Sequence, residues 1–430
     1  TGPKAVTAHR NFPIGRPSPG VRLAMSLAKL LQFCQTPWHI RDGLEIDVAE
    51  TAWTCASHCT GSELCTEAVV QGAQGFRKLR ESDLRRAMAE AASSVRPWTE
   101  GGFGMVGRLQ EARGNHGYVD QMRLGDRAVA VKRMPNGWVA DSMQEFEQRN
   151  PDATERPWLD FGLIRELNRM QFPYSCEFLG IFRDAESTYF VTSLATQGDL
   201  LSWHAQDPRP GREREALMKP IMQQTFEAVK MLHELGIAHR DLSLENILLT
   251  EGAQGRTQVK IIDFAMSTLS RRCRGEARGK VVYRAPEMNE TSEYDAFLAD
   301  AFALGVVVFA VAFRDYPWSC TRMTCKSFRY VREHGMAAFF EQRKVRNGSG
   351  ETLSEVCSTS LAELLDGMLA IDPRRRLGLG ELVSQQESGL RESSVWAMSW
   401  LGDGSAIPSA LTSEEAEAST GETSSTKSWP

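Results

Sequence analysis

The sequence has no hydrophobic run long enough to cross a membrane, no surplus of basic residues and few cysteines for its length. Its longest apolar stretch covers residues 301–313, whereas a membrane-spanning helix needs about 20 residues, so this stretch is typical of a buried core helix. Lys and Arg number 50 against 55 Asp and Glu, and a dedicated nucleic-acid-binding protein usually carries a strong basic excess. We therefore expect neither a membrane span nor a nucleic-acid ligand.

The nine cysteines are too few for a disulfide framework in 430 residues, and their odd number leaves at least one thiol unpaired. This usage favours a reducing, cytoplasmic environment. One cluster could be arranged around zinc, but it lacks the paired C-x2-C spacing of common zinc sites, and buried thiols are the favoured interpretation. Its members are Cys55, His58, Cys59 and Cys65.

Composition divides the chain into four segments. Residues 1–20 are rich in proline and predict a flexible arm, and residues 21–95 show helical periodicity and predict a helical N-terminal extension. Residues 96–390 turn to short β-type runs and then to helical segments, which indicates one folded domain. In the last segment, 391–430, ten of the twenty residues 409–428 are Ser or Thr and four are Glu, which predicts a disordered tail.

Two features of residues 96–132 suggest phosphate binding. The run Thr99-Glu-Gly-Gly-Phe-Gly-Met-Val106 contains Gly101 and Gly104, and glycines let backbone amides approach phosphate oxygens closely. The apolar run Ala128-Val-Ala-Val-Lys132 ends in a single cation, whose charge a nucleotide's phosphates would balance. Each feature is weak alone, because glycine clusters are often plain turns and most lysines are solvated.

A sharper signal lies in two runs further along the chain. Ile237-Ala-His-Arg-Asp-Leu-Ser-Leu-Glu-Asn246 places Asp241 five residues before Asn246, and Val259-Lys-Ile-Ile-Asp-Phe-Ala265 ends an apolar strand at Asp263. One carboxylate can orient a hydroxyl nucleophile while an amide oxygen and a second carboxylate hold Mg²⁺. Accidental polar loop residues are a poor alternative, because order, spacing and flanking apolar runs agree.

On these motifs the chain resembles the eukaryotic protein kinases of the serine/threonine type, in a divergent form, over about residues 96–390. The resemblance implies an α+β fold of two lobes, a small antiparallel-sheet N-terminal lobe and a larger helical C-terminal lobe. It implies transfer of the γ-phosphoryl group of ATP, with Mg²⁺, to protein substrates. The matching motifs are His239-Arg-Asp241, Asn246, Asp263-Phe264, Tyr283-Arg-Ala-Pro-Glu287, Asp300-Ala-Phe-Ala-Leu-Gly305 and Asp372-Pro-Arg-Arg-Arg376.

The resemblance implies two scaffold contacts as well. Asp300 would anchor the loop that carries Asp241, and Glu287 would form an ion pair with Arg376.

The resemblance also implies individual roles. Lys132 would hold the α- and β-phosphates, Asp241 would act as catalytic base, and Asn246 and Asp263 would bind Mg²⁺. Asp199 and Glu245 lie where related kinases read arginine beside the acceptor, which implies a mild preference for basic substrates. The remaining residues implied to bind the nucleotide are Gly101, Gly104, Val106, Ala130, Thr192, Ser193, Ala195, Asp199 and Leu248.

Several positions depart from the family pattern. Thr99 stands for the first glycine of the phosphate loop and Ala265 for the glycine after Asp263-Phe264. Residues 135–156 resemble an insertion, so the acid that should pair with Lys132 stays open between Asp160 and Glu166.

Two further departures form a pair. Ser243 occupies a position that is usually lysine, and Lys280 one that is usually threonine. Because the family fold brings these positions together, we hypothesise a positional swap in which Lys280 supplies the catalytic cation; a solvent-facing lysine is the alternative. Taken together, the departures also leave open a pseudokinase that binds nucleotide and acts as a scaffold or regulator.

Overall fold

The computed structural model describes residues 77–99, 102–112, 117–275, 277–290, 293–346, 348, 350–381 and 393–402. The predicted flexible arm, most of the predicted helical extension and most of the predicted tail therefore lie outside the described residues. The same holds for Gly101 and for the possible zinc cluster Cys55, His58, Cys59 and Cys65.

A six-stranded sheet forms the N-terminal lobe, with strand order β1-β5-β6-β4-β3-β2. Neighbouring strands are antiparallel except β1, which runs parallel to β5. The strands are β1 (Arg96–Pro97), β2 (Phe103–Ala112), β3 (Gly117–Leu124), β4 (Arg127–Pro135), β5 (Phe178–Arg183) and β6 (Ser187–Ser193).

The alternation of side chains along β4 places Lys132 on the face of the sheet that meets the C-terminal lobe. Val129 and Val131 are fully buried in a small cluster with Val191 on one face of the sheet. Because successive side chains of a strand point to opposite faces, Ala130 and Lys132 project from the other face, towards the C-terminal lobe.

Helices on this side of the molecule are α1 (Glu81–Ser93), α2 (Asn136–Val139), α3 (Met143–Arg149) and α4 (Pro157–Arg169). The predicted insertion 135–156 thus contains two short helices. Helix α4 begins with Pro157 in its first turn, where the missing proline N–H leaves no broken helical bond. The indole of Trp158 then joins α4 to the end of α2 by donating to Val139 O at 2.9 Å.

The C-terminal lobe is helical and surrounds α8. All 18 residues of α8 are buried, and among the described residues it is the one helix long and apolar enough to cross a bilayer. Its complete burial within the lobe confirms the prediction of a core helix. The helices of this lobe are α5 (Leu200–His204), α6 (Arg212–Glu234), α7 (Glu287–Glu290), α8 (Ala296–Phe313), α9 (Lys326–Gln342), α10 (Leu353–Val356) and α11 (Thr359–Met368).

Two short antiparallel pairs complete this lobe: β7 (Ile247–Glu251) with β8 (Thr257–Ile261), and β9 (Arg272–Arg274) with β10 (Glu293–Asp295). The first pair brings two predicted site residues together, because Asn246 directly precedes β7 and Asp263 follows β8 by two residues. The predicted two-lobed α+β kinase fold is confirmed, with the parallel strand β1 as an addition to the antiparallel sheet.

Candidate active site

A cavity of about 460 Å³ lies between the sheet and the C-terminal lobe. Most of the residues implied to bind nucleotide and metal line it, from both lobes. They are Ala130, Lys132, Thr192, Ser193, Ala195, Asp199, Asn246, Leu248 and Asp263. An apolar part of the lining was not predicted from the sequence; it includes Leu109, Val119, Ile164, Cys176 and Phe190.

The predicted phosphate loop is wrong, because Gly104 and Val106 do not line the cavity. Strands β2 and β3 pair from Phe103↔Leu124 at one end to Ala112↔Gly117 at the other, so Gly104 lies roughly 25 Å along the strand from Ala112. The end that meets the cavity is the Ala112–Gly117 end, since Leu109 and Val119 line the cavity there. Val106 is instead 47% exposed.

A second run, Ala112-x-Gly114-x-x-Gly117-x-Val119, matches the kinase pattern G-x-G-x-x-G-x-V with alanine in place of the first glycine. Residues 113–116, which lie between these two strands in sequence, are outside the described residues. Val119 is paired directly with Lys132 across β3 and β4, and directly opposite residues share a face of the sheet. The relevant departure is therefore Ala112, and not Thr99.

Lys132 pairs with Asp160 of α4, which answers the question that the sequence left open. The Lys132 Nζ atom lies 3.2 Å from Asp160 Oδ2 and 3.5 Å from Asp263 Oδ1. Glu166, the other candidate, accepts a hydrogen bond from Arg169 Nε at 2.8 Å instead. The sequence did not identify the partner because the 135–156 insertion changes the number of residues between β4 and α4 from the usual family spacing.

Helix α4 is also bonded to the segment that carries Asp263. The backbone N–H of Phe264 donates to Asp160 Oδ1 at 2.9 Å, and the N–H of Arg156 donates to Ala265 O at 3.0 Å. Asp160 therefore holds the lysine with one oxygen and the backbone after Asp263 with the other. Asp263 itself has φ of 67°, a left-handed conformation that non-glycine residues adopt at a cost of about 1–3 kcal/mol.

The two carboxylates beside Lys132 have pKa values shifted in opposite directions. Burial raises the pKa of Asp160 above its usual value, against the opposing effect of Lys132. Burial would raise the pKa of Asp263, but the charges of Lys132 and His239 and the hydrogen bonds to Asp263 together outweigh it, so this pKa is lowered. Burial would lower the pKa of Lys132, and the two carboxylates reverse this and raise it. An ionised Asp263 beside a protonated Lys132 is an arrangement suited to phosphates and a divalent cation.

Asp241 and Asn246 are held together in the loop before β7. Asn246 Nδ2 donates to Asp241 O at 2.8 Å and to Asp241 Oδ2 at 3.1 Å. Because the amide nitrogen is used in this way, the amide oxygen of Asn246 is left as an acceptor. Burial raises the pKa of Asp241, while the charges of Lys280 and His239 oppose that rise.

The loop around Asp241 is anchored from below as the resemblance implied. Asp300 of α8 accepts from the backbone N–H of His239 at 2.7 Å and of Arg240 at 2.8 Å. Glu287 and Arg376 form the implied buried ion pair, with oxygen–nitrogen distances of 2.5 and 2.8 Å. Both predicted scaffold contacts are confirmed.

The predicted contact between Ser243 and Lys280 is also present. Lys280 Nζ donates to Ser243 Oγ at 2.8 Å, and the backbone N–H of Lys280 donates to Asp241 Oδ1 at 3.1 Å. This approach requires Gly279, whose φ is 80° and where a Cβ atom would lie 2.6 Å from Arg240 O.

The two acids expected to read a substrate arginine are already engaged. Glu245 Oε2 lies 3.0 Å from Lys280 Nζ. Asp199 Oδ1 accepts from the backbone N–H of Ser202 at 2.7 Å and caps α5. Any preference for basic substrates must therefore be expressed in competition with these contacts.

Comparison with known proteins agrees with this geometry. The model of the family described as "Protein kinase domain" matches residues 113–386, more than half of the chain. The chain belongs to the eukaryotic protein kinase family. The match begins at residue 113, within the run Ala112-x-Gly114-x-x-Gly117-x-Val119 and beyond the run 99–106.

Relatives of this kinase chain come from distant organisms. A probable serine/threonine-protein kinase, KCC4, of Saccharomyces cerevisiae is 26% identical over 69% of this chain and 26% of its own length. The CBL-interacting serine/threonine-protein kinase 7 of Arabidopsis thaliana is 28% identical over 46% of each chain. Ribosomal protein S6 kinase alpha-4 of Mus musculus is 32% identical over 53% of this chain and 27% of its own. The chain thus spans about a quarter to a half of the length of these relatives.

Proposed function

We propose that this chain is an active serine/threonine protein kinase that transfers the γ-phosphoryl group of ATP to hydroxyl groups of protein substrates. The observation that carries the proposal is the convergence of one lysine, two aspartates and one asparagine at the cavity between the lobes. Lys132, Asn246 and Asp263 line this cavity, and Asn246 holds Asp241 by two hydrogen bonds.

The cavity suits a purine nucleotide. Val119 and Ala130 on the sheet and Leu248 on β7 supply apolar lining on its two sides. Thr192, Ser193 and Ala195 lie on the segment that joins the lobes, whose backbone polar groups can bond the adenine edge. Lys132, already positioned by Asp160, would bind the phosphates.

Magnesium fits the donors at the inner end of this cavity. Asp263 offers a carboxylate with a lowered pKa and Asn246 an amide oxygen, and Mg²⁺ prefers such oxygen ligands together with water and substrate phosphates. Across the part of the chain that the structure describes, no cluster of three or more His, Cys, Asp or Glu side chains could hold a metal by itself. Binding would therefore depend on the nucleotide, whose charge the ion would neutralise.

Asp241 would orient the substrate hydroxyl and accept its proton. Its carboxylate is fixed by Asn246 Nδ2 and by the backbone N–H of Lys280. Lys280, bonded to Ser243, would replace the lysine that most serine/threonine kinases carry at that position and stabilise the charge that develops during transfer. Asp241, Lys132, Asn246 and Lys280 are the residues that we propose as catalytic.

Two observations bear on substrate choice and on location in the cell. We propose protein substrates and only a weak preference for basic sequences, because Lys280 already neutralises Glu245. We place the protein in the cytoplasm, which accords with the absence of disulfides among the described cysteines.

A pseudokinase that binds nucleotide is the alternative, and the departures Ala112, Ser243 and Ala265 favour it. Radiolabelled ATP with Mg²⁺ and a generic basic protein, beside an Asp263→Asn control, separates the two functions. Transfer to Ser or Thr that the control abolishes supports the enzyme. If no transfer occurs while ATP still raises the melting temperature, the chain is a pseudokinase.

A further inference from the structure

The ion pair at Lys132 depends strongly on the position of α4. Asp160 has a short side chain, and its two oxygens already span the Lys132 ammonium at 3.2 Å and the Phe264 N–H at 2.9 Å. An outward shift of α4 by about 1 Å would stretch both contacts beyond hydrogen-bonding distance. Some element must therefore hold α4 inwards.

Helix α1 packs against the face of α4 that points away from the cavity. Gly162 follows Asp160 by two residues and so lies about 200° around the helix from it. A Cβ atom at Gly162 would lie 2.7 Å from Met88 Cγ and 3.1 Å from the Met88 backbone nitrogen. Glycine inside a helix is destabilising relative to alanine, and here it permits the close approach of α1.

Further contacts fix this helix pair. Leu84, Ala87 and Ala91 are buried on one side of α1, at the spacing that forms a continuous helix face. Arg165 of α4 donates to Glu90 O at 3.4 Å, and its guanidinium lies 3.5 Å from the Glu90 carboxylate.

The segment that contains α1, residues 77–98, is anchored at both ends. Before the helix, the N–H of Leu79 donates to Leu235 O in the C-terminal lobe at 2.8 Å. Beyond it, β1 pairs with β5, and the N–H of Trp98 donates to Arg183 O at 2.8 Å. The indole of Trp98 is stacked on Tyr189 with a centroid separation of 4.0 Å.

The start of α1 has its own charge cluster. Asp83 is almost fully buried and lies within 3.3 Å of the guanidinium groups of Arg77, Arg80 and Arg86. The hydrogen bond from Arg80 lowers the pKa of Asp83 to about 2. The helix therefore begins at a fixed point beside its anchor on the C-terminal lobe.

We propose that residues 77–98 position α4 for catalysis from within the same chain. Helix α1 presses on the outer face of α4 and keeps Asp160 in contact with Lys132 and Phe264, so that the pair forms without a separate partner that binds α4. Gly162 and Met88 are positioning residues that act through Asp160. The kinetic consequence of this inference rests on the proposed kinase activity. Its structural consequence, that α1 keeps α4 in place, rests on geometry alone.

The first test is Gly162→Ala in the full chain, with Gly137→Ala as the matched control because a Cβ atom at Gly137 would meet nothing within 4 Å. Alanine raises the intrinsic helix propensity of α4, so a loss of activity would not come from unravelling of that helix. We expect kcat to fall about 10- to 100-fold, with the KM for the protein substrate unchanged. Adding Met88→Ala, which removes the nearest contact, should recover part of the loss.

Two measurements distinguish positioning from general stabilisation. In an Asp160→Asn background, Gly162→Ala should lower kcat no further, because both changes break the same contact. Hydrogen exchange of the amides of residues 157–169 should accelerate in Gly162→Ala and not in Gly137→Ala, a readout that needs no enzymatic activity. If the wild-type chain transfers no phosphoryl group, the proposed function is wrong. The hydrogen-exchange comparison still tests whether α1 positions α4. Unchanged exchange with unchanged kcat in Gly162→Ala would overturn it.

Discussion

The ammonium group of Lys280 lies 2.8 Å from Ser243 Oγ, although 37 residues separate them in sequence. The family usually places a lysine at the position of Ser243 and a threonine at the position of Lys280. The contact is therefore kept while its two ends are exchanged, and the cation still reaches the loop that carries Asp241.

This exchange predicts a specific pair of phenotypes. Lys280→Ala should lower kcat about 10- to 100-fold with little change in the KM for ATP, because the lost charge acts during transfer. The double variant Ser243→Lys with Lys280→Thr restores the usual order and should recover much of that loss. Steady-state kinetics on one protein substrate measures both, and full activity in Lys280→Ala alone would refute the exchange.

The pairing of Lys132 gives a second prediction, with a control six residues further along the same helix. Asp160→Asn should lower kcat about 10- to 100-fold, because the lysine loses its orienting carboxylate. Glu166→Gln should keep kcat near the wild-type value, because the Glu166 carboxylate bonds Arg169 rather than Lys132. Equal losses in the two variants, compared at matched stability, would mean that Asp160 has no special role.

The corrected phosphate loop gives a third prediction. Val119→Ala removes apolar contact from the cavity lining and should raise the KM for ATP about three- to tenfold. Val106→Ala is the control, because Val106 is half exposed and lies outside the cavity. ATP titrations of the two variants give the comparison. A larger effect at Val106 would restore the original assignment and contradict the structure.

A fourth prediction concerns pH and stability. His233 is fully buried between Asp300 and Glu381, with contacts at 3.1 and 2.5 Å. Burial would lower the pKa of His233, but these carboxylates raise it from 6.5 to about 9. The folded state therefore holds the proton more tightly than the unfolded state. This contribution is complete below pH 6.5 and is lost as the pH rises through about 9.

Urea unfolding at several pH values tests this sign. Wild type should lose about 3 kcal/mol more than His233→Gln between pH 6 and pH 10. His334→Gln is the control, because His334 is exposed and should retain the wild-type slope. An identical pH dependence in wild type and His233→Gln would show that the buried histidine is not protonated in the folded state.

The sequence was most informative where function needs neighbouring residues in one short run. Asp241 and Asn246 are five residues apart, and Asp263 closely follows an apolar strand, so their association could be predicted from local spacing. The α8 core helix followed from an equally strong apolar pattern, and the two-lobed fold followed from the resemblance to the kinase family. Such signals can be recognised because the function itself requires residues of these types at a short, fixed spacing.

Prediction failed where the answer depends on pairing between distant segments. Val106 and Val119 both follow glycines at similar spacing, and only the register of β2 on β3 shows which one meets the cavity. To choose between Asp160 and Glu166 one must know how the 135–156 insertion connects β4 to α4. Counting residues along the sequence does not give that connection. The contact between Gly162 and Met88 had no sequence signal, because a glycine inside a helix does not indicate which element packs against it.

The most direct test of the account compares wild type with Asp241→Asn in radiolabelled ATP turnover, with identification of the labelled amino acid. We predict labelled Ser or Thr from wild type, a loss of about 10²- to 10⁴-fold in the variant, and unchanged ATP binding in both. Equal labelling by both proteins, or none by wild type while ATP binds, would contradict the assignment of Asp241 as catalytic base.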